Sequence, residues 1–263
     1  MAYYLGIDIG SGTSKGVVLG DDGIIAAHSL RSGVNYKLSA LNLHNELLKK
    51  ARLTEDDIAG TVATGQGAGL VAYADQQIAD LRCCARGMNS VFPQVRTVID
   101  IEGQSAQVLR INAQGRVVNF VISEKCASGA GRFLDIIANV LQIPLEEIGP
   151  LSLKSENPVV FTTACAVFGE SEAVSRVAEG MSKEDILAGV HKALAEKIVS
   201  LVGRVGMEPE CGMCGGGALN KGMVEWVQRR LGVKLLVLEQ PQFITALGAA
   251  IFAREIVEDS ASR

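Results

Sequence analysis

The sequence predicts an α/β protein in which one strand-rich unit occurs twice. Residues 3–9 have the composition of a buried strand. Asp21-Asp22-Gly23 is a turn signal, which predicts that the two strands on either side of it form a hairpin. Ile7-Asp8-Ile9 and Gly23 have counterparts 92 residues later in Ile99-Asp100-Ile101 and Gly115. Segments with helical periodicity follow each copy. We therefore expect a duplicated sheet-and-helix unit.

The elements of the first copy follow one another closely. Residues 10–15 form a loop of small residues, and residues 16–19 and 24–28 are expected to be the two strands of the hairpin. The remaining expectations for this half are a helix over residues 40–52, a short strand over 61–64 that ends at Gly65-Gln66-Gly67, and a helix over 72–80.

The second copy is followed by two helices, each preceded by a cysteine. Cys126 comes before an apolar helical pattern that includes Phe133, and Cys165 opens a helical stretch that reaches Val177. The remaining elements are expected to be an amphipathic helix over 186–205, a strand over 212–214, a helix over 221–231, a strand over 233–237 and a closing helix over 245–257.

Composition excludes several classes of protein. The net charge of −4 and the absence of a basic stripe argue against nucleic acid or an anionic membrane as a partner. The longest apolar stretch, near residues 245–253, is too short to span a bilayer, and the N-terminus enters a strand pattern without a secretory signal. Six cysteines in a chain of 263 residues are not typical of a disulfide scaffold. We expect a cytoplasmic protein with reduced thiols.

The loops after the first strands are candidate phosphate-binding sites. The loop Gly10-Ser11-Gly12-Thr13-Ser14-Lys15 matches neither a P-loop nor a dinucleotide-binding motif. Its N–H groups and hydroxyls can hold phosphate oxygens, and Lys15 adds a positive charge. Two such hairpins, bringing Asp8 and Asp100, would provide places for Mg²⁺ and an attacking water. Gly215-Gly216-Gly217 would let the backbone approach a flat ligand such as adenosine. The alternative is that these are ordinary glycine-rich turns.

The cysteines allow more than one interpretation. Cys126 and Cys165 each lie at a helix start, where free N–H groups favour a thiolate, so they predict a shared metal or redox site. Two buried structural cysteines would fit the spacing as well. Cys211 and Cys214 form a C-x-x-C pair that could be half a metal site or strand residues in the core. The adjacent Cys83 and Cys84 favour core packing.

Three motifs identify a family resemblance that covers nearly the whole chain. They are residues 6–15 (GIDIGSGTSK), 126–133 (CASGAGRF) and 165–172 (CAVFGESE). They resemble the ATPase activators of 2-hydroxyacyl-CoA dehydratases and the ATPase subunits of benzoyl-CoA reductase, within the actin, Hsp70 and sugar-kinase superfamily. The resemblance implies two duplicated ribonuclease-H-like domains of the actin/Hsp70 type with a nucleotide cleft between them. The domains would comprise residues 1–95 with 245–263, and residues 96–244.

The resemblance also implies an activity, an ATPase coupled to electron transfer. One [4Fe-4S] cluster would be shared across a homodimer or a pseudo-symmetric heterodimer, with Cys126 and Cys165 as the ligands from each chain. A ferredoxin or flavodoxin would supply the electron, and an iron–sulfur acyl-CoA dehydratase or reductase would receive it. ATP or ADP would bind with Mg²⁺. Asp8, Asp100 and Gln104 would be catalytic, and the nucleotide would contact residues 10–15 together with Gly103, Gly215, Gly216, Gly217 and Asn220.

The second phosphate loop departs from the pattern of that family. The family reads Asp-x-Gly-Gly-Gln-Asp-x-Lys, whereas residues 100–107 read DIEGQSAQ. Glu102 adds a carboxylate near a polyanion, and Ser105 and Gln107 replace a charge pair. Two further functions therefore stay open at the sequence level: a nucleotide-binding subunit with little turnover, and a small-molecule kinase of the sugar-kinase type. The departure favours a heteromeric subunit over a stand-alone activator.

Overall fold

The computed structural model describes residues 2–123, 131–161 and 166–262. The strands are β1 (Tyr3–Ile9), β2 (Thr13–Gly20), β3 (Gly23–Arg31), β4 (Ile58–Thr64), β5 (Gln76–Gln77), β6 (Thr97–Ile101), β7 (Ala106–Ile111), β8 (Val117–Ile122), β9 (Cys211–Cys214) and β10 (Leu235–Leu236). The helices are α1 (Tyr36–Ala51), α2 (Asp80–Val91), α3 (Gly131–Leu141), α4 (Leu145–Ser152), α5 (Ala166–Ala178), α6 (Lys183–Val205), α7 (Lys221–Leu231) and α8 (Ile244–Ala261).

Contacts divide the chain into two compact units. Unit 1 comprises Met1–Val95, Ile111–Val118 and Gln242–Arg263, and unit 2 comprises Arg96–Arg110 and Asn119–Pro241. Unit 1 is therefore discontinuous, since its first and last segments come from opposite ends of the chain.

The two five-stranded sheets have the same topology, which confirms the predicted duplication. The first has the order β3-β2-β1-β4-β5 and the second, written in the same direction, β8-β7-β6-β9-β10. The central strand of each is antiparallel to its hairpin partner and parallel to the strand on its other side. Asp8 lies opposite Lys15 in one sheet, and Asp100 lies opposite Gln107 in the other. The copies thus agree in register as well as in strand order.

The core of unit 1 covers both faces of β1. Leu5 and Ile7 pack with Leu43 of α1, and Tyr4 on the other face packs with α8. The backbones come close on the α8 side: a Cβ on Gly6 would collide with the Ala246 carbonyl oxygen. The small residues of α8 therefore allow this helix to lie directly on the sheet.

Helix α8 also packs closely against α2. A Cβ on Gly248 would collide with the Cys83 carbonyl oxygen, and a Cβ on Gly87 would collide with the Ile244 carbonyl oxygen. Glycine is needed at both positions because backbone atoms, which cannot move aside, occupy the space.

The core of unit 2 is built around the amphipathic helix α6. Ser182 caps it by accepting a hydrogen bond from the Asp185 N–H at 3.1 Å. Its apolar face, which includes Leu194 and Ile198, packs in one cluster with Ile99 of β6. This cluster supports the central strand that ends in Asp100.

One predicted helix is wrong. Residues 72–80 contain the strand β5, and helix α2 begins only at Asp80. The Thr61 N–H donates to the Asp75 carboxylate at 2.7 Å, and the Asp75 N–H donates to the Thr61 carbonyl at 2.9 Å. These bonds tie the segment to β4, so tertiary pairing overrides its helical propensity. In the described part of the chain, no helix is both long and apolar enough to cross a membrane.

Candidate functional site

The first candidate loop is organised around a buried ion pair at the end of β1. The Lys15 ammonium donates to the Asp8 carboxylate at 2.9 Å, and both side chains are largely buried. The two residues face each other because β1 and β2 pair in that register. Lys15 thus holds Asp8 in place and brings a positive charge to the base of the loop.

The side chains of Ser14 and Ser32 support this loop through hydrogen bonds. The Ser32 hydroxyl donates to the Gly10 carbonyl at 2.6 Å and lies 2.8 Å from the Ser14 hydroxyl, and both serines are buried. Ser14 is therefore placed as a support of the turn. Gly12 and Thr13 are exposed instead, and Ser11 is partly exposed. The exposed part of the loop offers backbone N–H groups and the hydroxyls of Ser11 and Thr13 to an anion.

The second candidate loop has the same arrangement, but the side chain that faces its aspartate is neutral. The Gln107 amide donates to the buried Asp100 carboxylate at 2.9 Å, the distance found for Lys15 and Asp8. An amide carries no charge, so this contact does not neutralise Asp100. Gly103 and Gln104 are exposed at the tip of the turn.

The substituted residues of the second loop bond to one another. The Ser105 hydroxyl donates to the Glu102 carboxylate at 3.1 Å, and the Glu102 N–H donates to the Ser105 carbonyl at 2.9 Å. Glu102 is partly exposed, and the contact with Ser105 closes the turn across residues 102–105. The Glu102 carboxylate, which was expected to disturb phosphate binding, thus accepts a hydrogen bond within its own turn.

The glycine loop after β9 lies against the end of β6. Gly215 has φ +81°, and a Cβ there would collide with the Asp100 carboxylate. A Cβ on Gly217 would collide with the Ile101 side chain. Gly216 between them is exposed and open. The loop therefore passes directly beside Asp100 and presents bare backbone to solvent.

Unit 1 has a second copy of this glycine loop. Gly65 has φ +84°, and a Cβ there would collide with the Asp8 carboxylate, while a Cβ on Gly67 would collide with the Ile9 side chain. The exposed residue between the glycines is Gln66. Each aspartate thus has a matching glycine loop beside it.

Asn220 has structural partners in this arrangement. Its side-chain carbonyl accepts from the Met223 N–H at 3.0 Å and caps α7. Its amide lies 3.0 Å from Nε2 of the buried His191, whose Nδ1 lies 2.8 Å from the Leu187 carbonyl. Burial lowers the pKa of His191, so the ring is neutral and bonded on both sides. The predicted contact of Asn220 with a nucleotide stays a prediction.

Cys126 and Cys165, the two predicted cluster ligands, lie outside the described residues. The helices that follow them are described, and they meet near their first turns. The buried Phe133 ring of α3 lies against Gly169 of α5, where a Cβ would come within 2.7 Å of the ring. Cys165 directly precedes α5, and Cys126 lies five residues before α3. Two thiols so close in sequence to packed helix ends fit a thiolate-bound cluster.

The other four cysteines are buried thiols. Burial raises the pKa of the Cys83 thiol to about 12 and also raises the pKa of Cys211, so neither is a ready thiolate. Cys211 packs in the core of unit 2. Cys83 packs likewise in the core of unit 1.

Comparison with known proteins assigns the chain to a family. Residues 5–253 match the model of the BadF/BadG/BcrA/BcrD ATPase family. The chain belongs to this family. It is 40% identical over 260 residues to the 2-hydroxyisocaproyl-CoA dehydratase activator of Clostridioides difficile, covering 98% of this chain and 97% of the relative. It is 31% identical over 264 residues to one of the subunits of benzoyl-CoA reductase from Thauera aromatica, covering 96% of this chain and 93% of the relative.

Solved structures confirm the predicted fold class of this family member. The 2-hydroxyisocaproyl-CoA dehydratase activator from Clostridium difficile with bound ADPNP has a TM-score of 0.95 at 39% identity, covering 99% of this chain and 97% of that one. A ROK family glucokinase from Streptomyces griseus, in complex with glucose and AMPPNP, has a TM-score of 0.61 at 12% identity, covering 97% and 100%. The second likeness shows the shared fold alone.

Three residues that support the candidate loops of this ATPase family member, Ser32, Gly65 and Gly67, were not predicted as site residues. Ser32 lies far from the loop in sequence and belongs to no motif. Gly65 and Gly67 precede Gly215 and Gly217 by 150 residues, and the offset of 92 that relates the hairpins does not reveal this second repeat. A search for a second repeat interval would have paired the two glycine loops.

Proposed function

We propose that the protein is an ATP-dependent activator that delivers a low-potential electron to an iron–sulfur acyl-CoA dehydratase or benzoyl-CoA reductase. One observation carries the proposal: two buried aspartates occupy matching register positions in duplicated sheets, in a chain that is 40% identical to a dehydratase activator over almost its full length. The proposed site of action is the cytoplasm.

Each loop has a separate role in the proposed nucleotide site. Residues 11–13 of the first loop and the Lys15 charge bind phosphate, and the Gly215 to Gly217 backbone lies against adenosine. Asp8 and Asp100 hold Mg²⁺, directly or through water, and the exposed Gln104 orients the attacking water. The Asp100 carboxylate accepts from a neutral amide, Gln107, whereas the Asp8 carboxylate accepts from the Lys15 ammonium.

The cysteine residues bind the electron-transfer group. Cys126 and Cys165 of one chain, with the same pair from a second copy or a homologous subunit, complete four thiolates. A [4Fe-4S] cluster bound there supplies one-electron transfer, with a ferredoxin or flavodoxin as the donor. Cys165 directly precedes α5 in the sequence, and the positive dipole end of that helix favours a thiolate there.

Iron content tests this function. Protein purified without oxygen should carry about two iron atoms per chain, since four iron atoms are shared by two chains. Cys126→Ser and Cys165→Ser should lose the iron and the EPR signal of the reduced protein. Cys211→Ala is the matched control, because it removes a buried thiol from the core and should keep both. Wild-type protein that stays free of iron after anaerobic reconstitution would contradict the proposal.

Phosphate release distinguishes an ATPase from a subunit that only binds nucleotide. With its reductase or dehydratase partner present, the wild type should release phosphate, and Asp100→Asn should bind ATP while losing at least about 100-fold in rate. Binding of ATP by the wild type without any phosphate release would instead support the subunit with little turnover.

A further inference from the structure

An exposed glutamine forms the tip of the first glycine loop, beside Asp8 and the base of the phosphate loop. We infer that Gln66 donates a hydrogen bond from its amide to the terminal phosphate of ATP and thereby distinguishes ATP from ADP. The three sequence motifs do not include this residue. The inference rests on the proposed function, because it takes residues 11–13 to bind the phosphate chain.

The backbone on both sides of Gln66 is fixed to the last two residues of β1. Gly65 has φ +84°, and a Cβ there would collide with the Asp8 carboxylate. The Gly67 N–H donates to the Ile9 carbonyl at 2.9 Å. Because the phosphate loop begins directly after Ile9, these contacts hold Gln66 beside the base of that loop.

The Gln66 side chain is available to a ligand. It is exposed, and its amide makes no hydrogen bond to any other residue that the structure describes. An amide has two N–H donors and no charge, so it can bond a phosphate oxygen without adding a charge that repels the phosphate or competes with it for Mg²⁺. A fixed backbone with an unbonded polar side chain is what a ligand contact requires, since little freedom is lost on binding.

The two units carry glutamine and glycine at exchanged loop tips. In unit 1 the tip of the hairpin loop is Gly12, and the tip of the glycine loop is Gln66. The matching residues of unit 2, 92 and 150 positions later, are Gln104 and Gly216. All four are exposed, and a Cβ on either glycine would meet nothing within 4 Å. Packing therefore does not require these two glycines, and bare backbone at both tips fits close approach of a ligand.

This exchange indicates how the two loops of unit 1 divide the binding of phosphate. Gly12 presents backbone N–H groups, and Gln66 adds a side-chain donor from the neighbouring loop. In unit 2 the roles of the loops are reversed, because Gly216 presents backbone and Gln104 presents an amide. Each unit thus combines one bare loop tip with one amide, and Gln66 is the amide that belongs to the phosphate loop over residues 10–15.

The place of Gln66 next to Asp8 points to the terminal phosphate. In phosphoryl transfer, Mg²⁺ bridges oxygen atoms of the β- and γ-phosphates. Asp8 is a proposed partner of that cation, so the γ-phosphate lies on the Asp8 side of the loop. A donor held on this side meets an oxygen atom that ATP has and ADP lacks.

Nucleotide affinities measured by calorimetric titration with Mg²⁺ test the inference. Gln66→Ala should bind a non-hydrolysable ATP analogue about 10- to 100-fold more weakly than the wild type, the loss expected for one hydrogen bond to a charged group. Its affinity for ADP should be unchanged. Gln66→Glu has a similar shape but carries a negative charge, so it should lose more affinity for the analogue than Gln66→Ala does.

Gln114→Ala is the matched control. Gln114 is another exposed glutamine of unit 1, and it lies in the turn between β7 and β8. This turn is far from Asp100, because Arg110 at the end of β7 pairs with Thr97 at the start of β6. The control should keep both affinities. Both alanine variants should unfold at the urea concentration of the wild type, since each removes an exposed side chain.

Two results would overturn the inference. One is a ratio of ADP to ATP-analogue affinity in Gln66→Ala that equals the wild-type ratio. This includes an equal loss of both affinities, because Gln66 would then contact a part that the two nucleotides share. The other is the same loss of analogue affinity in Gln114→Ala.

Failure of the inference differs from failure of the proposed function. Wild-type protein that binds neither nucleotide contradicts the function itself. Wild-type protein that binds the ATP analogue and iron, with an unchanged affinity ratio in Gln66→Ala, contradicts only the role of Gln66.

Discussion

Lys15 and Gln107 occupy the same position in the two copies of the hairpin. Each donates to its aspartate at 2.9 Å, yet only Lys15 carries a charge. The backbone has thus been preserved while the electrostatics have diverged. The position opposite the aspartate is thus a cation in unit 1 and a neutral amide in unit 2.

Exchange of this side chain gives the first prediction at the residue scale. Lys15→Gln should weaken ATP binding roughly 10- to 100-fold, since a hydrogen bond with a charged group contributes about 1.5–3 kcal/mol. It should fold normally, because Gln107 shows that an amide reaches the aspartate from this register. Calorimetric titration measures the affinity.

The reverse exchange is the control for this prediction. Gln107→Lys adds a cation at the matching position and should shift ATP affinity in the opposite direction. An unchanged affinity in Lys15→Gln would contradict a phosphate-binding role for Lys15.

A second residue-scale prediction concerns the buried His191. Burial lowers the pKa of His191 from its ordinary value of 6.5. Below that pH the histidine is protonated in the unfolded chain but stays neutral in the folded protein, so protonation favours unfolding. The free energy of unfolding should therefore fall as the pH falls from about 7 to about 5.5, by at most about 1.4 kcal/mol per unit from this group. Urea unfolding at a series of pH values measures it.

The matched comparison uses two histidine variants. His191→Gln should be less stable at neutral pH. Its free energy of unfolding should fall less steeply as the pH falls, because the buried neutral histidine has been removed. His28→Gln alters a histidine nearer the surface and should leave most of the slope in place. Equal slopes in the wild type and His191→Gln would assign the pH dependence to other groups.

At this scale the sequence predicts residues that belong to local motifs. Asp8, Lys15 and Gly10 are adjacent to a strand end, so the chemistry of the loop follows from its composition. Ser32 could not be predicted, since its contact with Gly10 depends on how β3 leaves the sheet. The bond between Asn220 and His191 joins residues 29 apart and follows from helix packing alone.

At the scale of elements, the contact between α2 and α8 gives a further prediction. Gly248→Ala places a methyl group against the Cys83 backbone and should destabilise the protein by about 1–3 kcal/mol or prevent folding. Gly203→Ala in α6 is the control, because nothing lies within 4 Å of its Cβ position. It should raise the free energy of unfolding by up to about 1 kcal/mol. Chemical denaturation measures both, and equal effects would contradict the close packing.

Elements with strong periodicity are well predicted, and those fixed by tertiary pairing are not. The helix expected over 221–231 is α7, and the strand expected over 212–214 is β9 with one added residue. The segment that contains β5 has a helical composition but pairs with β4, where Asp75 and Thr61 exchange hydrogen bonds. Helix α1 begins before residue 40 because Asn35 caps it, a signal that apolar spacing does not contain.

At the scale of the whole molecule, duplication organises both the fold and the candidate site. Repeated motifs predict the two sheets, since the same residues recur at one interval. The glycine loops recur at another interval because the connections between the copies differ in length. Domain boundaries and the cluster ligands Cys126 and Cys165 stay predictions, the latter carried by family resemblance and by the packing of α3 on α5.

The discontinuity of unit 1 has a consequence for synthesis on the ribosome. The backbone of α8, residues Ile244–Ala261, fills the space beside Gly6 and Gly87, so β1 and α2 keep an uncovered apolar face until the last segment is translated. All of unit 2 is made before that segment, and it can collapse first although it starts later in the chain. A nascent chain stalled before residue 244 should thus be protease-resistant in its later half and sensitive in its earlier half.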